Sequence, residues 1–506
     1  MKKIAMLLMI TTIVSKLLGL GREIAISYFY GASSISDAYF VSLVIPTVIF
    51  GFIGAGIFTV YIPMYSKIEQ NFGTDASNRY TNNLVNILFV VYTVIICFGL
   101  IFTENIVKIF ALGFSSDTLE LAVQFTKISI LGIYFTGVLV VYTGFLQLKG
   151  NYLAPSLVGI PMNCIIILSV FISTKGNILL LAFGNLVGTA SQILILIPSL
   201  LNKGYKYKYI FDLHDKHIKN MVYLALPVIL GVSFNQINVL VDKTMASQIA
   251  IGGISSLNYA NKLNTFVLAI FVTSISTAIF PLISRMAVEN NIIGLKRVVK
   301  DAIVGINILI FPATIGAMIF AKPIVRLFFD RGAFDNQALF LTSEALFYYS
   351  IGLVSFGLME VLGKAFYSLG DTKTPMTNAG IAMVVNIILN IYLSRYFGIG
   401  GLALATSISG ILSTTLMFIS LRKKIGSFGI KNISISSTKI LASSLVMGAM
   451  AKLAYNSFTI IFSETLSLTF SVIIGAVLYS VMISFANIAE INSILNSLKG
   501  KLKWSL

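Results

Sequence analysis

The chain has 506 residues, of which 57% are hydrophobic and only 11% are charged, and its formal net charge is +17. This composition excludes a soluble globular protein, and solid apolar runs of about twenty residues exclude a transmembrane β-barrel, whose strands alternate over about ten residues. We therefore predict an all-α polytopic membrane protein. Because Lys and Arg accumulate in cytoplasmic loops, the positive charge indicates topology and predicts no nucleic-acid partner.

Charged and turn residues divide the apolar sequence into fourteen predicted membrane spans. Their bounds are 5–30, 36–64, 80–103, 118–147, 153–174, 178–201, 219–248, 254–284, 299–321, 337–369, 376–396, 400–421, 436–456 and 465–488. Lys and Arg are concentrated in the connections on the side of the N-terminus, and an even number of spans returns the chain to that side. Both termini are therefore predicted to be cytoplasmic.

Two segments six spans apart resemble each other and indicate an internal duplication. GFLQLKGNYLAPS after span four corresponds to KAFYSLGDTKTPM after span ten. Transporters are often built from duplicated bundles with the substrate site between them, so we predict two pseudo-symmetric six-helix lobes and two additional helices. The predicted domains are an N-lobe (1–201), a cytoplasmic linker (202–218), a C-lobe (219–421), and helices thirteen and fourteen with a basic tail (422–506).

The first span places charged residues at membrane depth. Lys16, Arg22 and Glu23 lie within it, and Asp37 opens the second span. A charge there costs about 2.5–3.5 kcal/mol on insertion scales, so these residues are expected to face a polar cavity. Positions six apart on a straight helix point about 120° apart, so Lys16 and Arg22 share a narrow site only if the helix bends at the intervening glycines. The alternative is that the cations reach the headgroups from a helix end.

Polar residues also interrupt later spans. Asp242 is a candidate ligand for a coupling cation such as Na⁺, and its neighbour Lys243 is the competing partner. Asn386 and Asn390 are four apart, hence on one helix face, and Thr406 follows in the next span. Their oxygens suit a hard cation, but hydrogen bonding between helices is the alternative explanation.

Lys262 in span eight is a third deeply placed cation. Glu360 and Lys364 are four apart in the order that favours a helical ion pair, which could be structural or part of a cytoplasmic gate. The sequence contains no P-loop, HExxH or GxSxG motif, so we predict neither an enzyme nor an ATP-driven transporter. No cofactor is predicted apart from a coupling Na⁺.

The stretches SKLLGLGREIAISYFYGASSISDAYFVSLVIP, NYANKL and FYSLGDTKTP together resemble the MurJ (MviN) lipid II flippases of the MOP exporter superfamily. The resemblance covers nearly the whole chain. It implies two six-helix lobes in a V, a central cationic cavity, and a groove of the last two spans for a polyprenyl tail. The positions that match family sites are Lys16, Arg22 and Lys262 as cavity cations, Asp37 as an acid, and Asp242, Asn386, Asn390 and Thr406 as the sodium site of some members.

The chain departs from the family pattern at several of these positions. Lysine replaces the usual arginine at Lys16 and Lys262, so bidentate recognition of phosphate weakens to that of a point charge. Phe50 stands where an arginine is expected, and Asn261 where an acid is expected. Some members have an aspartate in place of Asn390. These differences bear on both the substrate and the sodium site.

The resemblance implies a flippase in the bacterial cytoplasmic membrane. It would move lipid II, a peptidoglycan precursor linked to undecaprenyl pyrophosphate, from the inner to the outer leaflet by alternating access. The implied partners are this anionic lipid-linked substrate and the membrane lipids, and we predict a monomer. Two alternatives are a flippase for another undecaprenyl-linked glycan, served by the same cations, and a MATE-like cation-coupled drug exporter, which would need unpaired carboxylates in its cavity.

Overall fold

The computed structural model describes residues 2–486, and over this range the chain consists of helices and their connections, without a strand. Eight helical segments are long and apolar enough to cross a membrane, or ten if each of two bent pairs forms one span. The predicted all-helical polytopic class is confirmed for this range. The count of fourteen spans and the side of the termini stay predictions. Residues 487–506, which hold the basic tail and the end of the last predicted span, lie outside the described residues.

By its internal contacts the described chain divides into two compact units. The first contains the residues up to Asn258 together with the segment Arg331–Ala338, and the second contains Tyr259–Asp330 and the residues from Leu339 onward. The predicted lobes 1–201 and 219–421 stay a prediction.

The helices before residue 250 are α1 (Lys2–Tyr30), α2 (Ser34–Ile101), α3 (Thr103–Phe110), α4 (Ser116–Ser129), α5 (Gly132–Leu148), α6 (Leu153–Leu157), α7 (Gly159–Ser173), α8 (Leu180–Asn202) and α9 (Lys216–Ile249). The later helices are α10 (Gly253–Leu268), which continues through a π-helical turn (Ala269–Thr273) into α11 (Ser274–Val288), then α12 (Ile292–Ile319), α13 (Ala321–Phe329), α14 (Asn336–Ile351), α15 (Leu353–Ser368), α16 (Lys373–Ile425), α17 (Ile430–Phe458) and α18 (Glu464–Phe485).

Two of these helices each contain two predicted spans. The backbone leaves the helical conformation inside α2 at Gly73, where φ is 82°, and inside α16 at Gly398, where φ is 51°. Glycine adopts such angles at little cost, whereas other residues rarely do. Each glycine therefore supplies the break that the sequence predicts between neighbouring spans.

Five tyrosines belong to the buried core of the first unit. Tyr61 and Tyr80 stack with their ring centroids 6.0 Å apart, and the hydroxyls of Tyr61 and Thr81 are 2.9 Å apart. The Tyr80 hydroxyl donates to the sulfur of Met221 at 2.8 Å, and Met221 is itself part of this core. The first half of α9 is therefore packed against α2.

The core of the second unit is built around α12. The amide of Asn307 donates to the Ser437 hydroxyl of α17 at 2.8 Å, and the Tyr479 hydroxyl of α18 donates to the Ile308 carbonyl at 2.6 Å. Since polar groups in a membrane protein find partners between helices, these bonds fix the last two helices to α12.

The two segments that predict a duplication have matching helix ends. Gly150 and Gly370 have φ values of 72° and 70°. The N–H groups of Asn151 and Asp371 donate to carbonyls five residues earlier, at 2.8 and 2.9 Å. Both side chains then accept from the backbone N–H three residues later, at 3.3 and 3.0 Å. The two segments thus share one way of ending a helix and starting the next.

Element order repeats as well. The short helices α3 and α13 follow the third and ninth predicted spans, and each is followed by a bent helix pair, α4 with α5 at 40° and α14 with α15 at 47°. The same order in both halves of the chain supports a duplication. The symmetry of the complete lobes stays a prediction.

Asp371 joins the two ends of α16. Its carboxylate lies 2.6 Å from the Lys424 ammonium and also accepts from the Thr374 hydroxyl at 2.8 Å. Burial raises the pKa of Asp371, but the hydrogen bonds from Lys424 and Thr374 outweigh it and lower that pKa to about 2. The carboxylate is therefore ionised at neutral pH and holds the end of α16 beside its beginning.

Candidate functional site

Arg22 and Glu23 form a buried ion pair in the second half of α1. Arg22 Nη2 lies 2.7 Å from Glu23 Oε1, and the two side chains are 14% and 1% exposed. The amide of Asn258 donates to the other Glu23 oxygen at 3.2 Å. Arg22 Nε is buried and has no hydrogen-bond partner among residues 2–486. Glu23 thus orients the Arg22 guanidinium but does not bind all of its N–H groups. The remaining N–H groups suit an anionic ligand.

The backbone is not unwound between Lys16 and Arg22, because α1 is a continuous helix from Lys2 to Tyr30. The two side chains therefore leave the helix about 120° apart. Lys16 is exposed and makes no ion pair within the described part of the chain. Lys262 lies on α10 in the second unit.

Asp37 is buried and fastens the start of α2 to the start of α10. One carboxylate oxygen accepts from the Gly252 N–H at 2.8 Å, and the other accepts from the N–H and the hydroxyl of Ser255 at 2.7 and 2.5 Å. The beginning of a helix presents unpaired N–H groups and a partial positive charge, which favour an anion. Both carboxylate oxygens of Asp37 are therefore occupied by protein donors.

The surrounding turns are packed backbone against backbone. Gly31 and Gly252 have φ values of 61° and 78°, and a Cβ at either position would overlap the carbonyl group of Ala333 or Ala32, respectively. The Ala333 N–H donates to the Tyr28 carbonyl at 2.8 Å. The α1–α2 turn, the α9–α10 turn and the segment Arg331–Ala338 therefore close this end of the first unit without room for a side chain.

Lys243 lies among carboxylates in the first unit. Its ammonium is 3.5 Å from the Ile254 carbonyl and interacts electrostatically with Asp242, Asp37 and Glu23. This arrangement favours an interaction between Lys243 and Asp242 over the binding of a cation by Asp242. A sodium role for Asp242 stays a prediction.

The asparagine pair of α16 forms a buried hydrogen-bond network in the second unit. Asn390 Nδ2 donates to Asn386 Oδ1 at 3.0 Å, and Asn386 Nδ2 lies 3.3 Å from the Ser409 hydroxyl and 3.5 Å from that of Thr406. Since Ser409 and Thr406 lie beyond the break at Gly398, these are bonds between neighbouring helical segments. Hydrogen bonding between helices, the alternative to a sodium site, therefore accounts for these asparagines, and sodium binding there stays a prediction.

Glu360 and Lys364 form an ion pair within α15, with 3.2 Å between Oε1 and Nζ. The ammonium also lies 5.9 Å from the ring centroid of Phe280. The pair is partly exposed and of the i, i+4 type, which contributes only a few tenths of a kcal/mol, about 0.3–0.5. Its role in a gate stays a prediction.

Phe50, which stands where the family pattern has an arginine, makes apolar contacts. Its ring centroid is 6.2 Å from that of Tyr92, and it packs against the core of the first unit. Asn261 accepts a weak hydrogen bond from Thr265 at 3.5 Å. Neither residue replaces the charge that the family pattern has at its position.

Three asparagines of α2 hold the segment before α9, a role that no sequence pattern indicates. The amides of Asn82, Asn83 and Asn86 donate to linker carbonyls at 3.0, 2.9 and 3.0 Å. Their amide oxygens accept from the Tyr205 hydroxyl, the Asp212 N–H and the Tyr207 hydroxyl at 2.7, 2.8 and 2.6 Å. The predicted linker between lobes is therefore bound along the surface of α2, and we call these three residues the asparagine ladder. In a sequence, asparagines beginning an apolar span look like ordinary interface residues.

Replacing Asn83 with alanine should release the linker, because it leaves the N–H and carbonyl of Asp212 without partners, at about 1–3 kcal/mol. Trypsin should then cut the purified protein at the linker lysines several-fold faster. Asn105→Ala, an exposed asparagine on α3, is the matched control. Equal cleavage rates for both variants would show that the ladder does not hold the segment.

Comparison with known proteins gives consistent matches. The family profile "Lipid II flippase MurJ" matches residues 26–477. Two curated relatives named "Probable lipid II flippase MurJ" are 30% identical over 418 residues, in Buchnera aphidicola subsp. Baizongia pistaciae, and 29% identical over 420 residues, in Vibrio cholerae. The first alignment covers 81% of each chain and the second 80%.

Solved structures show the same fold. A structure titled "Lipid II flippase MurJ, inward closed conformation" matches with a TM-score of 0.83 and 27% identity, over 95% of this chain and 98% of the other. An inward-facing MATE transporter of the MOP superfamily matches with a TM-score of 0.72 over 82% of this chain and 95% of the other. Its identity is only 16%, so this likeness concerns the fold alone.

Proposed function

The chain belongs to the MurJ family of lipid II flippases, and from this premise we propose that it moves lipid II from the inner to the outer leaflet of the bacterial cytoplasmic membrane. It is a transporter and not an enzyme, and it is a multi-pass membrane protein. The observation that carries the proposal is the match of the family profile to residues 26–477, which spans both units of the structure.

The substrate carries a pyrophosphate that must pass a slab of low dielectric constant, where an isolated charge is costly. We propose that Arg22, Lys16 and Lys262 offset this charge around a wide cavity, since Lys16 and Arg22 cannot share one narrow site on the unbroken α1. Arg22 supports the proposal, because it is mostly buried, is oriented by Glu23 and retains an unused N–H. The polyprenyl tail can stay in the lipid, along α17 and α18.

We further propose fourteen spans with both termini in the cytoplasm, two related lobes, and alternating access by rocking of these lobes. With that topology, the Asp37 contact with the start of α10 lies at the outer end of the protein. It would act as an outer gate that is closed in this structure and must open to release the headgroup. Glu360 and Lys364 would belong to a gate at the opposite end.

The driving force is proposed to be inward Na⁺ flow or the membrane potential, which supplies about 2.3 kcal/mol per charge per 100 mV. Asp242, Asn386, Asn390 and Thr406 are the proposed sodium ligands, and the proposed active form is a monomer. The substrate could instead be another undecaprenyl-linked glycan, because the same cations would bind its pyrophosphate. A drug exporter has only the fold likeness to MATE transporters in its favour.

Genetic rescue tests the function. A bacterium whose own lipid II flippase is depleted should grow again when this chain is expressed, because lipid II would reach the outer leaflet. Membrane expression is verified by immunoblotting, and an unrelated polytopic protein is the negative control. Failure to rescue despite membrane expression, with restoration of capsule export in a strain lacking that flippase, would assign the chain to the other glycan.

A further inference from the structure

A cleft of about 480 Å³ lies between the middle of α2 and the first turns of α9, entirely within the first unit. We call it the α2/α9 cleft. Val60, Met64 and Ile68 form an apolar floor, and Leu224 extends it along α9. A volume of this size lies within the range of small-molecule and lipid sites.

Polar groups line one end of the α2/α9 cleft. Lys67 and His217 face it from the two helices, and Asn220 lies beside His217. Phe72 and Tyr223 also line it and are 65% and 86% exposed. Exposed tyrosines next to apolar surface, such as Tyr223, are typical of the level of the lipid headgroups.

The charge of this end is positive and uncompensated. Lys67 makes no ion pair with any residue of the described range. The neighbouring acids have other partners. Glu69 forms an ion pair with Lys149. Asp215 accepts from the backbone N–H of His217 at 2.7 Å and from the Asn83 amide at 3.4 Å. None of the described residues that line the cleft carries a carboxylate.

We propose that the α2/α9 cleft binds one anionic phospholipid, with an acyl chain on the apolar floor and the phosphate beside Lys67 and His217. The proposal does not rest on the proposed function, because it concerns only the binding of a membrane lipid. A long apolar floor with a cation at one end fits an amphipathic anion better than a soluble phosphate, which would gain nothing from the floor. The lysine-rich connections predict that this end faces the cytoplasmic leaflet, which contains anionic lipids.

Native mass spectrometry of the purified full-length protein tests the site, with phosphatidylglycerol and phosphatidylcholine as probes. Lys67→Gln should weaken phosphatidylglycerol binding about five-fold, the expected effect of one lysine near an anionic headgroup, and leave phosphatidylcholine binding unchanged. Leu224→Trp should weaken binding of both lipids, because the larger ring fills the floor. Lys203→Gln, at another exposed lysine of the same predicted side, is the matched control and should change neither.

If Lys67→Gln and Lys203→Gln weaken phosphatidylglycerol binding equally, the lipid is attracted by the general surface charge and not by the cleft, and the proposal is overturned. Complete displacement of phosphatidylglycerol by millimolar inorganic phosphate would also overturn it, since the ligand would then be free phosphate. Unchanged binding in Leu224→Trp would show that no chain occupies the floor. Circular dichroism of each variant confirms that the helices are intact before binding is compared.

Discussion

Replacing Arg22 with alanine is expected to abolish rescue of a bacterium depleted of its lipid II flippase. The substitution removes the proposed ligand of the pyrophosphate, and it also breaks the ion pair with Glu23, which is 1% exposed. Breaking a buried pair in this way costs about 3–5 kcal/mol, so the single variant could fail simply because it does not fold. A second variant is needed to separate these causes.

The double variant Arg22→Ala with Glu23→Gln removes both charges of the pair, and the glutamine can still accept from Asn258. We expect it to reach the membrane in normal amounts but not to rescue growth. Arg22→Lys retains the charge and loses the fork of donors, so we expect partial rescue. Full rescue by the double variant would show that Arg22 serves only to neutralise Glu23, and the proposed pyrophosphate role would be lost.

Replacing Asp37 with asparagine is expected to open the outer end of the first unit and to abolish rescue. The amide NH2 of asparagine would face the backbone N–H of Gly252 or of Ser255, neither of which can accept, so at least one charged hydrogen bond worth about 1.5–3 kcal/mol would be lost. The gate would then fail to hold its closed state. Asp75→Asn, an exposed acid on α2, is the matched control.

Thiol labelling measures this opening directly. Ser256 is completely buried and its hydroxyl has no hydrogen-bond partner among residues 2–486, so Ser256→Cys is a mild reporter. In a background with Cys97 and Cys164 replaced, a membrane-impermeant reagent added outside cells should label this cysteine several-fold faster with Asp37→Asn. An unchanged rate, together with lost rescue, would assign Asp37 to substrate transport and not to a gate.

The sequence could predict the helical class, because solid apolar runs have few other structures available in a membrane. It also predicted the matching segments at Gly150 and Gly370, where a left-handed backbone restricts the residue type. The sequence could not decide whether the helix is unwound between Lys16 and Arg22, since two glycines permit a bend but do not impose one on a packed helix. Pattern alone could not show that both carboxylate oxygens of Asp37 are occupied, because their partners lie more than two hundred residues away in the chain.

The asparagine ladder could not be predicted either, because its partners also lie far away in the chain. The ladder has a consequence for how the sequence of this protein can change in evolution. Most of its bonds run from side-chain amides to main-chain groups of the linker, which every residue except proline can offer in full. The exposed linker positions are therefore free to drift in identity, while Asn82, Asn83 and Asn86 are constrained. A poorly matched linker beside an invariant asparagine triplet would be the evolutionary signature of this attachment.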